Sequence, residues 1–326
     1  MKRLPKLVSA LSAGFLLSLT ASFATAADFP SQPIRIVVPY PAGSNSDNLA
    51  RHIGTQMSQH FSVPVIIDNR GGAGGAIGTQ HVVSSPADGY TLLLHSGAIA
   101  TEVVLRSDLQ YDMRKDLTPI SMLTDGPNVL LVNSELPIET TAELIEYAKA
   151  NPGKINFGSP GNNTSIHLST ELFKAMADIN VVHVPYRGGA PSYQGLMGGE
   201  IQMLIDPLPT AKRVLTASGK ARALAVTTPE RTELWPELPT IAESGLPGYA
   251  SSVWFGMFAP SATPPAVIDK LSSALQEIMA SRTTRDWLQE QGSAAVGDTP
   301  DQFRQKIAAD IERWAELVKS AGIKIQ

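Results

Sequence analysis

The chain has 326 residues, 43% hydrophobic and 17% charged, with a formal net charge of −4. This is a soluble globular composition with room for two domains, and its negative balance argues against a nucleic-acid binder that neutralises phosphates. Cysteine is absent, which excludes disulfides, thiol nucleophiles, thiolate metal sites and a lipidated N-terminal cysteine.

The N-terminus carries Lys2, Arg3 and Lys6, then an apolar run from Leu7 to Leu19, then Ala24-Thr25-Ala26. A charged region, an apolar core and an A-x-A site predict an export signal over residues 1–26, cleaved after Ala26. The apolar run is short for a bilayer span, which needs roughly 20 residues. No later segment is long and apolar enough to span. The mature chain is therefore expected to be exported, without stable membrane insertion, and the bacterial periplasm suits it best.

Ile34–Val38 is a short apolar, β-branched run that reads as a buried strand. Leu49, Ile53 and Met57 then recur every four residues, marking one face of a helix. Ser44, Asn45 or Ser46 could cap it, and Asp47 favours its first turn. Val63–Ile67 is the next strand, which completes a parallel βαβ unit. A glycine loop (Gly71–Gly75), a helix near Ile77–Ser84 and a strand at Thr91–His95 follow.

The alternation continues with strands at Asn128–Val132, Ile155–Gly158, Val181–Val184, Ile201–Ile205 and Ala221–Val226. Helices are predicted at Thr141–Ala150, with Glu143 near its start, and at Ser165–Met176. A strand-like run, Ser252–Phe258, precedes three helical stretches: Pro265–Ala280, Thr283–Gln291 and Pro300–Ala321. The fold class is α/β: a two-lobed clamshell with parallel-sheet lobes. Segments near Ile120–Val132 and Ser251–Pro260 read as two crossovers between lobes. The expected division is a discontinuous first lobe, 27–124 and 256–326, around a second lobe, 125–255, with a hinge between them.

Ligands of parallel α/β sheets bind beyond the carboxyl ends of the strands. Three loops lie there: Tyr40–Ser46, Asp68–Gly78 and Gly158–His167. Glycine-rich strand-to-helix loops let backbone N–H groups and a helix N-terminus approach an anion. The candidate ligand-binding residues are Tyr40, Ala42, Gly43, Ser44, Asn45, Ser46 and Gly74 in the first two loops. Gly158, Ser159, Asn162, Asn163, Thr164 and His167 are those of the third. The loops suit a carboxylate held by amides and hydroxyls, without a buried salt bridge and its desolvation cost. Nucleotide motifs fail in detail. A G-x-G-x-x-G starting at Gly72 would need glycine at Ile77, and Gly78 is followed by Thr79-Gln80 rather than Lys-Ser/Thr. Gly71–Gly75 could equally serve only tight turns.

Catalytic constellations are missing too. No G-x-S-x-G elbow and no H-E-x-x-H occurs, and the six histidines (His52, His60, His81, His95, His167 and His183) show no metal spacing. No metal or cofactor is expected. His95, Ser96 and His167 could line a cleft, although a structural role for each histidine is the simpler reading. Asp206, ending the strand "IQMLID", could face the cleft or cap the next helix. Arg187 could supply a cation or be solvated. Ser96 with His95 and Ser159 with His167 are the serine–histidine pairs an exported hydrolase or isomerase would use. Neighbours on a strand point to opposite faces, which disfavours the first.

The stretches "PIRIVVPYPAGSNSDNLAR", "IIDNRGGAGGAIGTQHVVSSPADGYTLLL", "FGSPGNNTSIHLSTELFKAMADINVVHVPYRGGAPSYQGLMGGEIQMLID", "GKARALAVTTPER", "LPTIAESGLPGY" and "WFGMFAPSATP" follow one another in order. Together they resemble the Bug family, the periplasmic substrate-binding proteins of tripartite tricarboxylate transporters, over essentially the whole mature chain. The resemblance implies a Venus flytrap that binds a small mono-, di- or aromatic carboxylic acid between its lobes. It implies that the first strand–helix loop grips the carboxylate by backbone amides, and that the membrane components of such a transporter are the partners. The family loop P-F-P-P-G-G-x-x-D is matched at Pro39, Tyr40, Pro41, Gly43 and Asp47. Ala42 and Ser44 depart from it, and Ser44 adds a hydroxyl. The second family loop, G-S-x-G-x-G-[ST]-x-x-H, is matched at Gly158, Ser159, Gly161, Thr164 and His167. Asn163 replaces a glycine there, and Asn tolerates a left-handed backbone. The expected function is capture of a small carboxylate by hinge closure, in a monomer that delivers it to the transporter. The alternatives are an exported enzyme acting on such an acid, or a protein that presents its ligand to a sensor kinase.

Overall fold

The computed structural model describes residues 29–161, 164–186 and 189–320. The predicted export signal, Asn162, Asn163 and Arg187 lie outside the described residues. Strand β1 (Ile34–Val38) is buried except at Arg35, as its β-branched run requires. Helix α1 (Asn45–Phe61) follows, with Ser44 as its N-cap. The Ser44 hydroxyl accepts from the Asp47 amide, and Asp47 places a carboxylate in the first turn. Leu49, Ile53 and Met57 share one face and pack on Ile34, Ile36 and Val38. β2 (Val65–Asn69) and β3 (Thr91–Ser96) pair parallel with β1, one on each side. Between them lie a single 3-10 turn, Ala73–Gly75, and helix α2 (Ala76–Val83).

Next come α3 (Ala98–Leu105), α4 (Met113–Asp116) and the 17-residue strand β4 (Leu117–Asn133). The following units are α5 (Thr141–Ala150), β5 (Asn156–Ser159), α6 (Ser165–Ala177), β6 (Val182–Pro185), α7 (Gly189–Met197), β7 (Met203–Pro207), α8 (Leu208–Ser218) and β8 (Ala221–Val226). Thr140 and Glu143 form a reciprocal capping box at α5. The chain ends with β9 (Ser252–Pro260), α9 (Pro265–Ala280), α10 (Arg282–Glu290), β10 (Ala294–Ala295) and α11 (Pro300–Ser320).

The strands run in the order β2-β1-β3-β9-β4-β7-β5-β6, with β8 and β10 also paired to β4. The alternation predicts parallel sheets. Parallel pairing holds for β2-β1-β3 and for β6-β5-β7, whereas β4 and β9 pair antiparallel with each other and with their neighbours. Two strands that carry the chain out to one lobe and back again, side by side, must run in opposite directions. Residues 117–127 of β4 pair with β9, and residues 128–133 pair with β7 and β8. β4 thus belongs to both sheet regions of the two-lobed α/β fold.

α11 also spans both regions. Phe303 and Ile307 pack with Val37, Leu93 and Phe258, whereas Trp314, Leu317 and Val318 join the cluster of Leu168, Phe173 and Ile205. Burying both ends of one helix's apolar face in different cores makes α11 a strap over the crossover strands. Among the described residues, no helix is long and apolar enough to cross a membrane.

Candidate functional site

A cavity of about 780 Å³ lies where the two sheet regions meet, within the size range of small-molecule sites. The N-termini of α1, α3 and α6 open on it through Ser44–Ser46, Gly97–Ala98 and Thr164–Ser165. Each helix start leaves amide N–H groups without an intrahelical acceptor and carries a partial positive charge. At α1 the Gly43 amide donates to Asp47 Oδ2 at 2.8 Å and the Ser44 amide to the Pro41 carbonyl at 3.2 Å. The amides of Asn45 and Ser46, the next two in line, have no acceptor among the described residues. At α6 the Thr164 hydroxyl caps the His167 amide, and the Ser165 and Ile166 amides have no acceptor among the described residues.

Seven residues expected at the ligand line this cavity: Tyr40, Ser44, Asn45, Ser46, Gly74, Ser96 and Thr164. Tyr40 Oη and Ser96 Oγ are 2.9 Å apart, and burial pushes the Tyr40 phenol far above its usual value, so both stay neutral hydroxyls. Ala42 and Gly43 are outside the cavity lining. Gly43 adopts φ +82, where glycine is favoured, and serves the turn. His95 lies behind Tyr40, ring centroids 5.4 Å apart, with Nδ1 2.8 Å from the Ser96 carbonyl. Complete burial draws its pKa down to about 4, so it stays a neutral imidazole.

The other described candidates lie outside this cavity's lining. A Cβ at Gly158 would come within 2.4 Å of Ile201 Cδ1, so this glycine permits close packing beneath the loop. Ser159 Oγ lies 2.6 Å from His183 Nε2, making His183 rather than His167 its partner. His167 stacks on His183 at 4.1 Å and approaches Glu171 at 3.8 Å. Burial lowers both histidines to about 4. Asp206 accepts from the Tyr193 hydroxyl and borders a separate cavity with Ile166, Met197 and Thr210.

The remaining wall comes from elements whose sequences carry no loop signature. α3 contributes Thr101 and Glu102, and Arg106 follows at its C-terminal end; β9 contributes Trp254 and Phe255, and α11 contributes Lys306, Asp310, Arg313 and Trp314. Asp310 is buried and accepts from Trp254 Nε1 at 2.8 Å, from Lys306 Nζ at 2.8 and 2.9 Å, and from Arg313. Arg313 also donates to the Ala250 carbonyl at 2.6 Å. Through Trp254, whose carbonyl accepts from the Gly97 amide at 2.8 Å, this network fixes the start of α3. The helical period of α11 (Lys306, Asp310 and Arg313 on one face) was the available sequence signal.

A cleft between two α/β lobes, ringed by helix N-termini, defines a solute-binding protein. The chain belongs to the tripartite tricarboxylate transporter receptor family, whose model matches residues 49–323. It is 36% identical to protein BugT of Bordetella pertussis (strain Tohama I) over 300 residues, covering 91% of this chain and 92% of BugT. It is 36% identical to an R. palustris protein solved with adipate, with a TM-score of 0.76, covering 91% of this chain and 99% of that one. MatC of Rhodopseudomonas palustris, solved with bound malate, is 28% identical with a TM-score of 0.72, covering 89% and 100% of the two chains. The resemblance to the Bug receptors thus holds over the folded chain. Receptors of this family are periplasmic binding proteins and not enzymes.

Proposed function

We propose that this receptor captures a small carboxylic acid in the cleft, closes on it and delivers it to the membrane components of a tripartite tricarboxylate transporter. One observation carries the reading. The amides of Asn45 and Ser46 on α1 and of Ser165 on α6, none of which has an acceptor among the described residues, border one cavity from two lobes. A carboxylate bridging them makes charge-assisted hydrogen bonds to both lobes. Such a ligand favours the closed state, because only differential affinity shifts a hinge equilibrium. Tyr40, Ser96 and Thr164 would orient it with neutral hydroxyls. Adipate and malate in the related structures support this ligand class. The change in β4's partners between Pro127 and Asn128 supports a lobe boundary within that strand. In this reading the chain is exported with cleavage after Ala26 and works as a monomer.

A thermal-shift screen of the chain from Ala27 against mono-, di- and aromatic carboxylates tests the reading. A true ligand at 100 times its Kd adds about 2.7 kcal/mol of stability and raises the midpoint saturably. No saturable shift with any acid would contradict it. Asn45→Pro supplies the specific control. Proline is tolerated at the first helical position, and Ser44 already has the extended backbone (φ −71, ψ 163) that a following proline requires. The variant keeps the helix and loses one donor. It is expected to bind the same acid about 10- to 100-fold more weakly.

A further inference from the structure

Glu102 stands on α3, 8% exposed, in the wall of the same cavity. One of its oxygens, Oε2, accepts from the Tyr111 hydroxyl at 3.1 Å. The cations of the cavity wall are committed elsewhere. Arg106 is clamped on Asp108 through Nε and Nη2, both at 2.9 Å, and on the Ala73 carbonyl through Nη1 at 2.6 Å. Lys306 and Arg313 are held by Asp310. Glu102 thus has no ion-pair partner among the described residues. A cavity that takes a carboxylate at its helix N-termini therefore also holds, in Glu102 Oε1, an acceptor with no hydrogen-bond donor among the described residues.

We infer that Glu102 selects, among small carboxylates, those that carry a hydrogen-bond donor (an ammonium or hydroxyl group) beside the carboxylate. The inference rests on the carboxylate reading above and sharpens its ligand class. A site with a buried acceptor rejects an analogue that lacks the matching donor, because the acceptor is then left desolvated and unpaired. A plain dicarboxylate would also bring negative charge toward Glu102.

The titration of Glu102 gives this selection a signature. Burial raises its pKa to about 7, against the opposing pulls of the Tyr111 hydroxyl and the Arg106 charge. The groups around it keep a constant charge between pH 6 and 8. Tyr40 and Tyr111 are pushed far up by burial, His95 is drawn down to about 4, Arg106 is raised, and Asp108 is lowered by Arg106. The 72–75 turn packed over it carries no titratable side chain. An ammonium-bearing acid needs the ionised form, which is about a tenth populated at pH 6 and nine-tenths at pH 8. Its affinity should rise about tenfold over that range.

Calorimetric titration of succinate, malate and aspartate into wild type and Glu102→Gln at pH 6 and pH 8 tests this. At pH 8 the expected order is aspartate, then malate, then succinate, with at least about tenfold between the extremes. Aspartate should gain about tenfold from pH 6 to 8 while succinate gains nothing, and Glu102→Gln should remove that pH dependence. Equal affinities in wild type, or an unchanged preference in Glu102→Gln, would overturn the inference and leave the carboxylate reading standing. The wild-type pH profile decides the matter even if the variant folds poorly. If none of the three acids binds, the inference falls, and the wider acid screen decides the carboxylate reading separately.

Discussion

Asp310→Ala is expected to cost the fold about 2–4 kcal/mol and to weaken ligand capture about tenfold. Asp310 is 3% exposed and serves three donors from two elements. Alanine leaves the buried Trp254 indole N–H without an acceptor and turns Lys306 and Arg313, 28% and 30% exposed, into unpaired neighbouring cations. Removing one partner of a buried pair costs roughly 3–5 kcal/mol, and the partial exposure of the cations reduces this. Capture suffers because Trp254 holds the Gly97 amide and with it the start of α3. Denaturant melts of wild type, Asp310→Ala and Asp310→Asn check the claim. Asparagine keeps one acceptor and should fall between the other two. Wild-type stability in the alanine variant would remove the network from the account.

Glu102→Gln should have the opposite sign, and its effect should depend on pH. The folded-state pKa of Glu102 is raised from 4.5 to about 7, chiefly by burial. The folded protein therefore holds a proton that the unfolded chain releases. The associated stability is fully present below the unfolded pKa and is lost as pH rises through about 7. Glutamine carries no such proton. The stability of the variant relative to wild type should climb from pH 4.5 to about 7.5 by about 2–3 kcal/mol, then level off. Urea melts across this range measure the difference directly, because the other titrating groups are common to both proteins. A difference that stays flat would mean that Glu102 titrates normally.

Much of the frame was legible because local chemistry dictates it. The run Ile34–Val38 admits little besides a buried strand, and the four-residue spacing of Leu49, Ile53 and Met57 fixes the buried face of α1. Ser44, Asn45 and Ser46 were readable as a helix start at a strand's carboxyl end. The second wall of the cavity was not. α3, with Thr101, Val103 and Val104, mixes β-branched residues into its helical period, so periodicity alone does not separate it from a strand. Glu102 looks like an ordinary helix-surface charge until the 72–75 turn folds over it. Lys306, Asp310 and Arg313 lie some two hundred residues beyond α3, and only the tertiary fold of α11 across β4 and β9 brings them to the cleft. Asp206 ends a strand as a cleft residue would, yet the Tyr193 hydroxyl on α7 turns it toward the separate cavity beside Ile166. A strand-end rule locates a loop, and the identity of the neighbouring helix decides which side chains the ligand meets.

The most direct measurement is a crystal structure of the chain from Ala27 with the tightest acid from the thermal-shift screen. One carboxylate is expected within about 3.2 Å of the Asn45 and Ser46 amide nitrogens, with the start of α6 closing on the ligand from the second lobe. A ligand seated away from α1, or one whose carboxylate takes no backbone amide from either helix, would contradict it.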